Sequence, residues 1–409
     1  MRRSHVFLKH QGQNTNVVKL VELLKKNDPA QQTVYYQTGV GTYAPPGMLT
    51  NVGLTVAAKA DEGVACEASI KGKKKSTSTS SVSKATKKSS RPENVDPADF
   101  KRAFCIPIEI HFLGVWDTVG SVGAFRRKTL PWIEYNPSVH FFRQALALDE
   151  NRGNFIPSVW DHERTDPNYQ NALEVWFKGG HADVGGGTYP PPPEKDRTIM
   201  KLLSRPLLSN ITLRWMVREC LENSVVLFDP DSMRRYRSAG ILEARDPKKS
   251  YDEQQKVVDN LDAIDIAPKP YIALDESPSW KFLEYMPVPK LSQTGNRTHP
   301  ETAWSPNACA ARIVNYNDEN SDPIRLHCSV VSFLQTQAAK DDDYIPAATW
   351  HGYGKNTWPE IEEGVMSSII SETNDSLIEV RKRLKMSWQP KAPGSWLNPF
   401  SWSWGGKGE

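Results

Sequence analysis

Ile106 to Trp116 reads IPIEIHFLGVW and runs into Asp117-Thr118-Val119-Gly120. The stretch is rich in β-branched and aromatic residues and almost continuously apolar, the pattern of a strand covered on both faces. A smaller version follows at Leu173 to Lys178 (LEVWFK), which ends in the loop Gly179-Gly180-His181-Ala182-Asp183-Val184-Gly185-Gly186-Gly187. Between them, Ser138 to Asn151 (SVHFFRQALALDEN) sets Val139, Phe142, Ala145 and Leu146 at helical spacing, so a crossover helix is expected there. Strand, helix and strand in that order imply a parallel sheet.

Working outward, Asn16 to Lys26 (NVVKLVELLKK) has the spacing of an amphipathic helix, with Asn27-Asp28-Pro29 as its stop. Thr33 to Tyr36 (TVYY) reads as a short strand, and Ile211 to Glu222 as a helix with Leu213, Met216, Val217 and Cys220 inward. Residues 229–300 are charged and Pro-dotted, which suggests an irregular excursion or lid. Pro359 to Met386 carries the last helical pattern, with Pro359 in its first turn and Arg381, Lys382, Arg383 and Lys385 near its end.

The 409 residues leave room for one large domain or two smaller ones, and 38% apolar content excludes wholesale disorder. Net charge is +3, but residues 71–91 hold seven Lys, one Arg and no acid, so the other residues sum to −5. The bulk of the chain therefore lacks the basic surplus of a nucleic-acid-binding domain. Residues 71–98 have Val82 and Val95 as their only branched aliphatics and read as a disordered loop. Five widely spaced cysteines without a C-x-x-C argue against a disulfide framework and a structural zinc site. Met1 to Gln13 lacks the apolar stretch of a signal peptide, and no apolar run reaches the roughly 18 residues of a membrane span. An intracellular, cytoplasmic protein is the expectation. The tail Trp396-Leu397-Asn398-Pro399-Phe400-Ser401-Trp402-Ser403-Trp404 could rest at a lipid surface, or simply fray or dock on its own domain.

The chemistry-bearing residues lie where the two strands end. An acid just past one buried strand and a histidine just past the next is how open α/β sheets deploy catalytic groups. Asp117 would orient and charge-stabilise an imidazole, and His181 would be the base that activates a hydroxyl. The bland alternative has Asp117 capping a helix and His181 filling a glycine turn; spacing alone leaves both open. His327 reads either as a packed core histidine or as a residue near substrate. Gly39-Val40-Gly41 lacks the third glycine of a dinucleotide fingerprint, and no cofactor is implied.

His111 to Gly120 (HFLGVWDTVG) and Val175 to Gly187 (VWFKGGHADVGGG) closely resemble the two signature blocks of an α/β-hydrolase family. That family is abundant in fungi and includes the catalytic domain of bacterial type VI secretion phospholipase effectors. Asn16 to Leu20, Tyr35 to Thr42, Ala145 to Glu150 and Leu213 to Met216 resemble it too, so the likeness covers about residues 14–62 and 100–350. It implies Asp117 as triad acid and His181 as triad histidine, with Asp183 a further polar candidate. The family's nucleophile elbow, Gly-Phe-Ser-Arg-Gly, is missing, and no Gly-x-Ser-x-Gly occurs in these 409 residues. Ser121 sits in Gly-Ser-Val-Gly but follows the acid strand, which makes it a poor nucleophile. The family's first strand with Asp-Gly-Thr is also missing.

The expected fold is α/β, α/β-hydrolase-like, with a mostly parallel sheet, flanking helices and an incomplete amino-terminal half. Residues 1–62 would be an amino-terminal fragment of the domain, 63–99 the disordered loop, 100–350 the main domain and 351–409 a helix and Trp-rich tail. The implied function is carboxylic-ester hydrolysis of the phospholipase or carboxylesterase kind, impaired by the missing serine. Two other classes stay open: a binding protein that keeps the cleft, and a metal-assisted hydrolase using Asp117, His181 and Asp183. An ester or lipid is the expected substrate.

Overall fold

The computed structural model describes residues 14–36, 108–119, 134–187, 206–243, 248, 250–276, 278–291, 302–314, 324–336, 344–349 and 360–361. The Lys-rich loop, Ser121 and the Trp-rich tail lie outside the described residues.

Three strands carry the sheet: β1 (Ile110–Trp116), β2 (Val139–Ala147) and β3 (Asn171–Phe177). The short β6 (Arg325–Leu326) and β7 (Glu360–Ile361) extend it, in the order β1-β2-β3-β6-β7, and every pairing is parallel. β1 is an edge strand among the described residues. The architecture is the expected α/β one, but its centre corrects the sequence reading. Val139 to Ala147 is a strand, not a crossover helix. Ala145, Leu146, Ala147 and Leu148 are all 0% exposed, so both faces of β2 are buried, and a run apolar on both faces satisfies helical and strand templates alike. Hydrogen-bonding partners on both sides, which the segment itself does not specify, settle it as a strand.

Side chains then alternate between two cores, as strand geometry requires. Ala145, Ala147, Val175 and Phe177 pack under Ile211, Trp215 and Met216 of the long helix α3 (Leu208–Asn223). Leu146, Leu148 and Trp176 face the opposite layer, with Leu326, Val330 and Val331. The last two belong to α8 (Cys328–Leu334). Each large side chain buried in this way contributes roughly 1.5–3 kcal/mol.

α1 (Asn16–Leu23) starts at a Thr15 cap and packs Leu23 with Leu213, Val217, Met233 and Tyr236. It stops before the expected Asn27-Asp28-Pro29 because Leu24 turns extended and bridges to Phe228, with Lys25 donating to Leu227. Thr33 to Tyr36 is irregular rather than a strand; Tyr35 is 81% exposed, and no ladder partner is present among the described residues. Strand propensity without a neighbouring strand to pair with builds nothing.

The expected irregular excursion is largely regular. Among the described residues it contains α4 (Pro230–Ser238), α5 (Tyr251–Asp265), α6 (Ala273–Glu276), α7 (Pro278–Glu284) and β4 (Val288–Leu291), which pairs antiparallel with β5 (Thr302–Ser305) just beyond it. Its helix starts are written in the sequence. Asp229 caps α4 with Pro230 in the first turn, and Ser250 forms a reciprocal box with Glu253 on α5. The last expected helix begins differently as well, since Glu360-Ile361 pairs with Arg325-Leu326 as β7. An unpaired sheet edge offers those backbone groups a better partner than the first turn of a helix. The rest of Pro359 to Met386 lies outside the described residues.

Candidate functional site

Asp117 follows the last residue of β1 and adopts φ 48°, a left-handed conformation that Asp enters more readily than most residues. The turn sends its side chain back across the end of β2, where Ala147 N–H donates to Oδ1 at 3.0 Å. His181 opens α2 (His181–Gly185), the short helix after β3. Because β2 lies between β1 and β3, the two residues come from strands that are not neighbours, contrary to the simple reading. They nonetheless meet, with His181 Nδ1 2.7 Å from Asp117 Oδ2. The Asp117 side chain is fully buried, whereas His181 is 31% exposed.

Sequence reasoning missed the third member. Arg312 reaches in from a segment before β6 and places Nη1 at 2.6 Å from Asp117 Oδ1 and Nη2 at 2.8 Å from Oδ2. Burial pushes the Asp117 carboxyl up, but the Arg312 charge and hydrogen bonds, with His181, outweigh it and hold the group well below the usual carboxylate range. The clue was an arginine inside Ala310-Ala311-Arg312-Ile313-Val314, since a cation in an apolar run needs a buried acid.

Residues 44–219 match the family described as the type VI secretion system phospholipase effector Tle1-like catalytic domain. The chain is related to that family. The matched stretch includes both Asp117 and His181. A protein of Saccharomyces cerevisiae, described as uncharacterized, is 37% identical over 59 residues, which cover 14% of this chain and only 9% of that protein. No solved structure matches.

The histidine loop is held from several sides. Asp149 accepts from Gly179 N–H at 2.7 Å, from the Tyr344 hydroxyl at 2.8 Å and from Ala347 N–H at 2.9 Å. Glu150 accepts from His181 N–H at 3.2 Å while paired with Arg152. Asn16, fully buried, donates to Val184 O, Ser209 O and the Thr212 hydroxyl, so the family-like start of α1 anchors the far end of α2. Phe155 presents its ring edge-on to His181 with centroids 5.0 Å apart.

Asp183 has a different task from the one its sequence position suggests. Its Oδ2 accepts from Gly180 N–H at 2.9 Å and Tyr271 N–H at 2.7 Å, which fastens the glycine turn to the segment after α5. Asp117, His181 and Asp183 do not form a compact ligand set; among the described residues that grouping occurs at Asp262, His327 and Cys328, all buried. Arg214 stands 2.6 Å from Asp262, so a cation there would meet a guanidinium already in place. His327 is a core residue that caps α8, bonds the Ser329 hydroxyl at 2.8 Å and stacks on Phe177. Burial, with Arg218 and Arg214 nearby, holds its imidazole well below the ordinary range and therefore neutral.

Proposed function

We propose that the chain carries the acid and base of a lipid-ester hydrolase site of the phospholipase or carboxylesterase kind. The observation that supports this most is the contact of 2.7 Å between Asp117 Oδ2 and His181 Nδ1. An ionised carboxylate only accepts, so in the neutral imidazole Nδ1 carries the hydrogen and Nε2 the lone pair. In that tautomer Nε2 removes a proton from a hydroxyl or water as oxygen attacks the ester carbonyl. The imidazolium then returns the proton to the leaving alcohol, with Asp117 stabilising the charge in between. The relation to phospholipase-effector domains favours a lipid ester over a peptide.

The second part of the proposal is that turnover by these 409 residues is poor. An elbow serine is absent from the sequence, and with it the oxyanion-hole amide that follows such a serine. Losing a triad member costs several orders of magnitude in rate. Purified protein should not be labelled by a serine-directed fluorophosphonate, and should cleave phospholipid vesicles or short activated esters no faster than its His181→Ala variant. Stoichiometric labelling of one serine, abolished by His181→Ala, would defeat the impairment. A cleavage rate identical in wild type, Asp117→Asn and His181→Ala but well above buffer would remove the pair from the chemistry.

A further inference from the structure

We propose that Arg312 is the positioning residue of the Asp117–His181 pair, fixing the carboxylate so that one oxygen stays committed to the imidazole. The catalytic consequence rests on the function proposed above; the geometry does not.

All four hydrogens on the Arg312 Nη atoms have acceptors. Nη1 donates to Asp117 Oδ1 and to Ala147 O at 2.9 Å; Nη2 donates to Asp117 Oδ2 and to Phe155 O. The guanidinium plane can therefore neither rotate nor slide without breaking a bond. The four bonds reach the acid, the last residue of β2 and the backbone of the residue whose ring borders His181. On the carboxylate side, Oδ1 takes Ala147 N–H and Nη1, and Oδ2 takes Nη2 and His181 Nδ1. The usual two lone pairs on each oxygen are thus used once each. A lone carboxylate at the end of β1 could swing about its χ2 torsion; a forked one cannot.

Asp149 supplies an internal comparison. It is buried too, 5% exposed against 0%, and accepts three bonds to the four of Asp117, from backbone N–H groups and a tyrosine hydroxyl. Burial wins there, and the Asp149 carboxyl is pushed above its ordinary value. Asp117, with a guanidinium on both oxygens, is displaced the other way. Arg312 is what keeps a fully buried acid able to act as a permanent acceptor. Glu150 and Arg152 also face this corner as an ion pair, with Glu150 on the His181 backbone.

The test is the imidazole tautomer of His181, read by NMR on the full chain carrying 15N-histidine and assigned by loss of the signal in His181→Gln. Wild type should show the Nδ1–H form with a slowly exchanging proton. Arg312→Lys keeps the charge but cannot fork, and should lose the slow Nδ1–H signal while the fold persists. Arg312→Met should lose it as well if it folds. An unchanged Nδ1–H signal in folded Arg312→Lys would overturn the proposal. If neither variant folds, wild type decides: separate, slowly rotating Arg312 Nη resonances together with the Nδ1–H form support the role, and a freely rotating guanidinium removes it. None of these readouts needs turnover. Loss of the tautomer in the variants would keep the positioning role whatever the cleavage assay shows, whereas cleavage well above buffer and equal in wild type, Asp117→Asn and His181→Ala would count only against the hydrolase reading.

Discussion

Arg143 of β2 and Glu219 of α3 form a buried ion pair 76 residues apart in the chain, with side chains 4% and 8% exposed. The same guanidinium donates to Phe142 O, Asn171 O and Asn171 Oδ1, so one side chain ties together β2, the start of β3 and the covering helix. It exists only because Val139 to Ala147 is a strand beneath α3.

That pair gives the first prediction. Arg143→Met or Glu219→Gln leaves the other group buried without its charge partner, and each should destabilise the protein by about 3–5 kcal/mol. The double variant should recover most of the loss, because two neutral groups carry no uncompensated charge. Urea unfolding of the four proteins measures this, and additive losses would show that the two residues do not depend on each other.

A second prediction follows from the acid of the site. The folded-state pKa of Asp117 is depressed: burial alone would raise it, and Arg312 and His181 more than reverse that. Below both pKa values the folded and unfolded forms are equally protonated at this group, so it contributes nothing there. Its contribution is complete above the unfolded value of about 3.9 and is lost as pH falls from there toward the folded value. Stability should therefore decline on acidification below about pH 5, and Asp117→Asn should both lower the neutral-pH stability and flatten that decline. Equal acid slopes in the two proteins, measured by denaturant unfolding between pH 3 and pH 7 (a range of about 4 units), would contradict the ion pair.

The third prediction concerns the glycine turn. Gly179 has φ 114°, and a Cβ built there would lie 2.4 Å from Cβ of Asp183. Gly179→Ala therefore strains the backbone and pushes on the residue that fastens the turn, at a cost of roughly 1–3 kcal/mol from the backbone alone. Gly185→Ala is the control, since nothing lies within 4 Å of its Cβ position. Thermal unfolding should drop clearly for the first and little for the second. The His181 environment, followed by NMR, should change only in the first.

Much of the site was legible in the sequence because its signals are local. A strand ending in Asp117, and another ending in a glycine loop with His181, announce themselves by composition and by where the apolar run stops, although β1 is a half-buried edge strand among the described residues rather than one covered on both faces. Helix starts such as Ser250 with Glu253 were equally local, although the charged, Pro-dotted context of residues 229–300 obscured them.

Partnership was beyond the sequence. Val139 to Ala147 contains the residues of a helix or of a doubly buried strand, and only β1 and β3 on either side decide between them. Thr33 to Tyr36 has strand propensity without a neighbour to pair with among the described residues. Arg312 stands 195 residues from Asp117, and no spacing rule links a guanidinium to a carboxylate across that distance. Asp183 reads in the sequence as a further polar candidate of the histidine loop, and only the fold brings Tyr271 N–H to it. The sequence by itself determined that Asp117 and His181 stand just past strand ends, because strand and turn propensities act over a few neighbours. Which carboxylate faces the histidine, and which guanidinium holds it there, was decided by the tertiary structure, because hydrogen bonds and ion pairs form between groups that only packing brings within 3 Å.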